Sequence, residues 1–222
     1  MLYGINFIGK PQHFLYYQNV DKNTNPAPLV ERFSKNIKIG PVLDIGFGNG
    51  RNAVFLARMG FDVTAIDVRQ KAIDAAKELA KNNGVVVNFL LKDVREYVFP
   101  KKHYQAIIAL NSLFFLSKKD FYAAIDNIKK TLIVGGIAIV SSFTVSDSMF
   151  DKIRMENEKV GEREFKSRDG HFWYFLDHDE LLRLFDGFEI LFYKETLTQD
   201  HGHPGWPEPH THAVARIVIK KN

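Results

Sequence analysis

The sequence predicts an α/β fold: a Rossmann-like parallel sheet with helices on both faces. Three observations predict it. The apolar run Val42, Leu43, Ile45 carries an embedded acid, Asp44, and breaks into alternate glycines, Gly46, Gly48 and Gly50, where a helical pattern begins. Strand-like and helix-like stretches then alternate to about residue 143 at the spacing of βαβ units. The chain has 222 residues, 45% of them hydrophobic and 25% charged, which suits one full α/β domain with decorations.

The elements follow in order. Residues 1–25 carry Tyr3, Phe7, Phe14, Tyr16 and Tyr17 in a polar setting, as an aromatic arm packed on the domain or a lid over a ligand. Pro26 and Pro28 open a short amphipathic helix to about Asn36, so residues 1–36 form an N-terminal lid and helix. After the glycine turn, Arg51–Met59 is helical and Gly60 stops it. Phe61–Asp67 is the second strand, Gln70–Lys81 a helix, and Val85–Leu91 the third strand. Gln105–Asn111 is the fourth. Asp120–Leu132 is a helix ended by Gly135-Gly136, and Ile137–Phe143 is the fifth strand. Residues 146–176 break the rhythm and read as an insertion in a single domain spanning 1–222. In it a charged helix, about Ser148–Val160, precedes two short strands around the turn Arg168-Asp169-Gly170. Asp177 N-caps a helix to Phe185. Phe188–Glu195 and His212–Ile219 close the chain as an antiparallel pair.

Composition narrows the function. Thirty basic against 26 acidic residues give a net charge of only +4 with no basic block, which argues against a nucleic-acid partner. Zero cysteines exclude a disulfide scaffold and a thiol nucleophile, and fit the cytoplasm. No signal peptide or membrane span is expected.

The glycine turn carries the chemistry. A dinucleotide fingerprint needs glycine at position 51, where this chain has Arg51. Asp44 would repel a pyrophosphate and attract a cation, such as the ammonium of an amino-acid moiety. Asp67, at the end of the second strand, is placed to take a ribose diol. Asp93, after the third, can accept from the exocyclic amine of adenine. Together they describe a site for S-adenosylmethionine.

The stretches VLDIGFGNGRN (42–52), GFDVTAID (60–67), YQAIIALNSLFFL (104–116) and HAVARIVIKK (212–221) resemble the class I S-adenosylmethionine-dependent methyltransferases. Within that class the GNGRN ending and the C-terminal layout resemble the tellurite-resistance (TehB-like) methyltransferases. The resemblance implies a seven-stranded sheet of order 3-2-1-4-5-7-6 with the last strand antiparallel. It implies that Gly46, Gly48 and Gly50 bind the methionine part, beside Asp44 and Phe47. Asp67 and Val68 would take the ribose, and Asp93 with Val94 the adenine. Arg51, Asn111 and Ser112 would lie by the methionine tail or the sulfonium. Phe47 departs from the family pattern, where a smaller or sulfur-bearing residue is usual.

The C-terminal loop QDHGHPGWPEPHTH (199–212) also departs, in its histidines. His201, His203, His210 and His212 form two i, i+2 pairs, each projecting to one face of an extended backbone. They can fix the loop, donate to an oxyanion, or bind a transition metal. No acid or cysteine completes a standard ligand spacing, so no metal is assigned. Methyl transfer to a tellurite- or selenite-type oxyanion would call on cationic donors: His201, His203, Arg168, and also Arg163. A hydroxyl or amine acceptor would instead want a base. The sequence thus predicts a methyltransferase, monomer or homodimer, acting on a small molecule. Alternatives are methylation of an organic metabolite or thiol, a non-catalytic S-adenosylmethionine- or metal-binding protein, and a nicotinamide oxidoreductase.

Overall fold

The computed structural model describes residues 23–201 and 207–222. The N-terminal aromatic arm up to residue 22, and His203, lie outside them. In chain order the elements are α1 (Pro28–Ser34), β1 (Pro41–Ile45), α2 (Arg51–Arg58), β2 (Asp62–Asp67), α3 (Gln70–Asn82), β3 (Asn88–Leu91) and β4 (Tyr104–Leu110). A 3-10 turn (Leu113–Phe115) leads to α4 (Lys118–Thr131), β5 (Leu132–Phe143), α5 (Ser148–Glu156), β6 (Glu158–Lys159), β7 (Glu164–Lys166) and β8 (Phe172–Tyr174). Then come α6 (Glu180–Leu184), β9 (Glu189–Asp200) and β10 (His210–Lys220).

The seven-stranded sheet has the order β3-β2-β1-β4-β5-β10-β9. Strands β1 to β5 are parallel, and β10 runs antiparallel to both β5 and β9. In the order of the sheet's own strands this is 3-2-1-4-5-7-6, as the resemblance implied. A parallel sheet covered on both faces must bury alternate residues in opposite directions. Leu43 and Ile107 accordingly pack with Phe121, Ile125 and Ile128 of α4. Val42, Ala106 and Ile108 pack with Ala53 and Leu56 of α2 and Ile73 and Ala76 of α3. β6, β7 and β8 form a separate antiparallel sheet, turned at Arg168-Asp169-Gly170. Beneath it Phe165, Trp173 and Phe175 pack with Phe114, Phe143, Met149 and Val214.

Several boundaries differ from the sequence reading, and β9 and β10 extend beyond it to Asp200 and back to His210; in four places the backbone shows why. Gly135-Gly136 do not end α4. The helix stops at Thr131, and the glycines bulge within β5, where the Gly135 N–H donates to Lys221 O at 2.7 Å. Strand β3 starts at Asn88, because the chain at Val85 still closes α3 through its N–H to Ala80 O, at 3.1 Å. α5 ends at Glu156, and Glu158–Lys159 pair with β7 instead of extending it. Asp177 does not cap α6. The helix begins at Glu180, after Asp179 in the left-handed region (φ 56°), and the Asp177 N–H donates to Glu180 Oε2 at 2.9 Å.

Between β1 and β4 the direction of the crossovers reverses. The C-terminal ends of these strands frame the crevice where open α/β sheets bind ligands. β10 runs the other way, so its first residues, His210 to Val214, lie at the same edge as the end of β5.

Candidate functional site

The glycine turn connects β1 to α2 with Gly46, Gly48 and Gly50 at φ 68°, 63° and 80°. A Cβ at Gly46 would lie 2.3 Å from Ser112 Cβ, and one at Gly50 would lie 2.6 Å from Ala76 Cβ. These two glycines let β4 and α3 close on the turn. Gly48 differs: the nearest atom to its added Cβ is the Arg69 guanidinium, 3.9 Å away. The turn is packed at its two ends and open in the middle, which is where a ligand can reach bare backbone.

Asp44 lies at the base of the turn, 2% exposed. Among the described residues its Oδ2 has no hydrogen-bond partner. Burial, then the neighbouring charge of Asp67, pushes its pKa up to about 7; the Ala53 backbone N–H and Arg51 pull the other way. A buried acid with an unmatched oxygen is costly, and a cationic ligand group would relieve it. The site therefore fits the ammonium of S-adenosylmethionine on an observation independent of the resemblance.

Asp67 and Asp93 are both already engaged. Asp67 Oδ2 accepts from the Gly48 N–H (3.1 Å) and from Arg69 Nη2 (3.2 Å). Its Oδ1 accepts from the Arg69 N–H (3.0 Å) and Nε (3.1 Å). Asp93 repeats the arrangement with Arg95: Oδ1 takes the backbone N–H (2.8 Å) and Nε (3.0 Å), and Oδ2 takes Nη2 (2.6 Å). That side-chain hydrogen bond holds the Asp93 carboxyl below the usual range. Each acid is thus clamped by the arginine two residues on. The sequence reading named neither arginine, although the repeat Asp-Val-Arg at 67–69 and 93–95 was there to be seen. Of the middle residues, Val68 is exposed and Val94 half-buried.

Other cofactor candidates act partly as framework. Phe47 is buried, its ring 5.1 Å from that of Phe89, so it packs the turn against β3. Ser112 Oγ donates to Ile45 O at 2.8 Å, tying the end of β4 to the end of β1. Asn111 sits in the left-handed region (φ 50°), held by its N–H to Ser141 Oγ (3.0 Å) and by Ser141 Oγ donating to its Oδ1 (2.7 Å). The asparagines of GNGRN hold the incoming chain. Asn49 Nδ2 donates to Asn23 O (2.6 Å), and Asn52 Oδ1 accepts from the Ala27 N–H (2.8 Å).

Of the cationic candidates, three fall among the described residues. Arg168 is exposed at the tip of the β7–β8 hairpin, and His201 is exposed just past β9. Arg163 is already engaged within the fold. Its Nη2 pairs with the buried Glu180 at 2.7 Å, Nη1 reaches Asp177 at 3.4 Å, and Nε donates to Phe175 O at 3.3 Å. What does converge is a different set: His210, His212, Asp147 and Asp200. Asp200 is the acid that spacing along the chain did not supply; it faces His210 directly across the β9–β10 ladder.

Residues 42–136 match a family described as "Methyltransferase domain". The chain is 36% identical over 122 residues to the "Ubiquinone biosynthesis O-methyltransferase" of Rickettsia conorii, covering 54% of this chain and 41% of that protein. It is 27% identical over 108 residues to the "Probable S-adenosyl-L-methionine-dependent methyltransferase TehB" of Haemophilus influenzae, covering 49% and 37%. The matches thus span about two fifths of the length of these curated relatives. The crystal structure of TehB from Haemophilus influenzae superposes with a TM-score of 0.70 at 20% identity, covering 95% of this chain and 67% of that one. Residues 42–136 thus match a methyltransferase-domain family, and the chain as a whole shares the fold of the TehB crystal structure.

Proposed function

We propose that the chain binds S-adenosylmethionine in the glycine turn and transfers its methyl group to a small-molecule acceptor. The observation that carries this reading is the unmatched, fully buried Oδ2 of Asp44 beside the opening at Gly48. When bound, the sulfonium supplies an electrophilic methyl group. The chain binds, orients and excludes water. Asp44 holds the ammonium, and Gly48 lets the methionine part approach the backbone. Asp67 offers its two oxygens to the ribose diol once the Arg69 fork swings toward solvent. Asp93 receives the adenine amine in the same way once Arg95 leaves. Arg51, Asn111 and Ser112 shape the methionine end. Alignment and exclusion of water can lower the barrier by about 7–11 kcal/mol.

For the acceptor, the likeness to TehB supports a tellurite- or selenite-type oxyanion, with tellurite resistance as the cellular consequence. His201 and Arg168, exposed donors, are the described residues assigned to meet it. The higher identity to a ubiquinone-pathway O-methyltransferase favours a second reading, an organic hydroxyl. A cytoplasmic setting belongs to both readings, and no described helix is long and apolar enough to cross a membrane. A transfer assay with methyl-labelled S-adenosylmethionine over tellurite, selenite, a thiol and a catechol panel separates them. Labelled product from the oxyanions alone supports the first reading, and from the catechol alone the second. No labelled product from any acceptor, with cofactor bound, overturns the proposal of transfer.

A further inference from the structure

We propose that Asp200, His210 and His212 form a binding site for a first-row divalent transition-metal ion of the Zn2+ class. One ligand atom from each lies within 4.8 Å of the others, and none of the three residues is fully exposed. The β9–β10 ladder builds the cluster. Asp200 pairs with His210, and His212 lies two residues further along β10, on the same face of the strand.

The hydrogen bonds fix what each ring offers. His210 Nδ1 lies 2.7 Å from Glu208 O, which can only accept, so this nitrogen carries the proton. His212 Nδ1 lies 3.1 Å from Asp147 Oδ2, a carboxylate oxygen that also accepts the Ala213 N–H at 2.8 Å. His212 therefore carries its proton on Nδ1 as well. The two Nε2 atoms face each other at 3.0 Å, a spacing that a proton shared between the rings or a cation bound by both would bridge. Asp200 Oδ2 stands 4.0 Å from His212 Nε2 and supplies negative charge. An imidazole whose outer N–H is held by a carboxylate or a carbonyl is the usual outer support of a metal-ligating histidine. Two imidazoles and one carboxylate suit a borderline ion such as Zn2+, with a coordination position left for water or an anion. The cluster lies at the binding edge of the sheet: the His212 ring is 5.3 Å from that of Phe143, at the end of β5.

The proposal stands apart from the methyl-transfer reading, so its test reads metal directly. Full-length chain without a histidine tag is titrated with Zn2+ by calorimetry, and with Co2+ by its visible absorption. We expect one equivalent bound, and Co2+ bands of a site with nitrogen and oxygen ligands. His212→Ala and Asp200→Asn should each weaken binding at least tenfold, and Asp147→Asn, a positioning change, about 10–100-fold. Circular dichroism melts check that each variant folds. If a histidine variant does not fold, Asp200→Asn, at a half-buried position, decides. Absence of binding at millimolar Zn2+, or binding that all three variants leave unchanged, overturns the site and leaves a proton shared between the rings.

Discussion

The Cβ of Ser112 occupies the space that a side chain at Gly46 would need, 2.3 Å from where its Cβ would stand. The end of β4 is thereby locked onto the end of β1, and the Ser112 hydroxyl completes the lock on Ile45 O. The glycine turn owes its shape to this contact as much as to its own backbone.

The three glycines should therefore respond differently to alanine. Gly48→Ala meets open space and carries only the left-handed backbone penalty, about 1–2 kcal/mol. Gly46→Ala carries the same penalty plus an overlap with Ser112 on the order of 1–3 kcal/mol. Thermal denaturation should rank Gly46→Ala as clearly less stable than Gly48→Ala, while Gly48→Ala loses more cofactor affinity than stability. Equal melting temperatures would refute the packing difference.

Asp44 makes stability depend on pH. Its carboxyl binds a proton more tightly in the folded chain, so the ionised form is the destabilised one. Stability is full below the unfolded value of about 4 and falls as pH rises toward about 7. The loss is on the order of 4 kcal/mol for a shift of that size. Asp44→Asn should flatten this part of the stability curve, measured by urea denaturation between pH 4 and pH 8 without cofactor. A wild-type curve that rises across the window would contradict the assignment.

Removing the clamps should help binding. The Arg69–Asp67 pair, with the arginine one quarter exposed, contributes on the order of 1 kcal/mol or less, and the proposed ribose contact requires it to open. Arg69→Ala should tighten S-adenosylhomocysteine binding up to about fivefold, and Asp67→Asn should weaken it. A weaker Arg69→Ala complex would mean that the guanidinium itself contacts the cofactor.

Arg163 should matter for folding and not for the acceptor. Burial pushes the Glu180 carboxyl up, but Tyr174, the Asp177 N–H, Tyr122 and Arg163 together hold it below its ordinary value. Arg163→Ala leaves that buried charge without its cation and should cost about 3–5 kcal/mol in chemical denaturation. Arg163→Ala with Glu180→Gln should recover part of that loss. An unchanged stability would show that the pair does not hold the hairpin to α6.

What could be read from the sequence was local. Apolar runs such as Ala106–Ala109 are buried on both faces, and the turn residues beside them mark their ends, so the strands could be placed, while their order in the sheet came from the resemblance to class I methyltransferases. The glycine turn and the three acids were legible because strand ends in this topology converge. Gly135-Gly136 misled, because a glycine pair serves a bulge as readily as a helix stop, and only the distant Lys221 backbone decides between them. The Asp147–His212 contact joins residues 65 apart, and the Asp200–His210 pairing depends on strand register. Neither is visible to spacing along the chain.

We propose that Asp44 and the open glycine turn seat the charged methionine end of S-adenosylmethionine. Calorimetric titration of S-adenosylhomocysteine into the wild-type chain and into Asp44→Asn tests it most directly. The wild type should bind at one site, with proton release near pH 6, and Asp44→Asn at least tenfold more weakly. Equal affinity in the two chains, or no binding by the wild type, would contradict it.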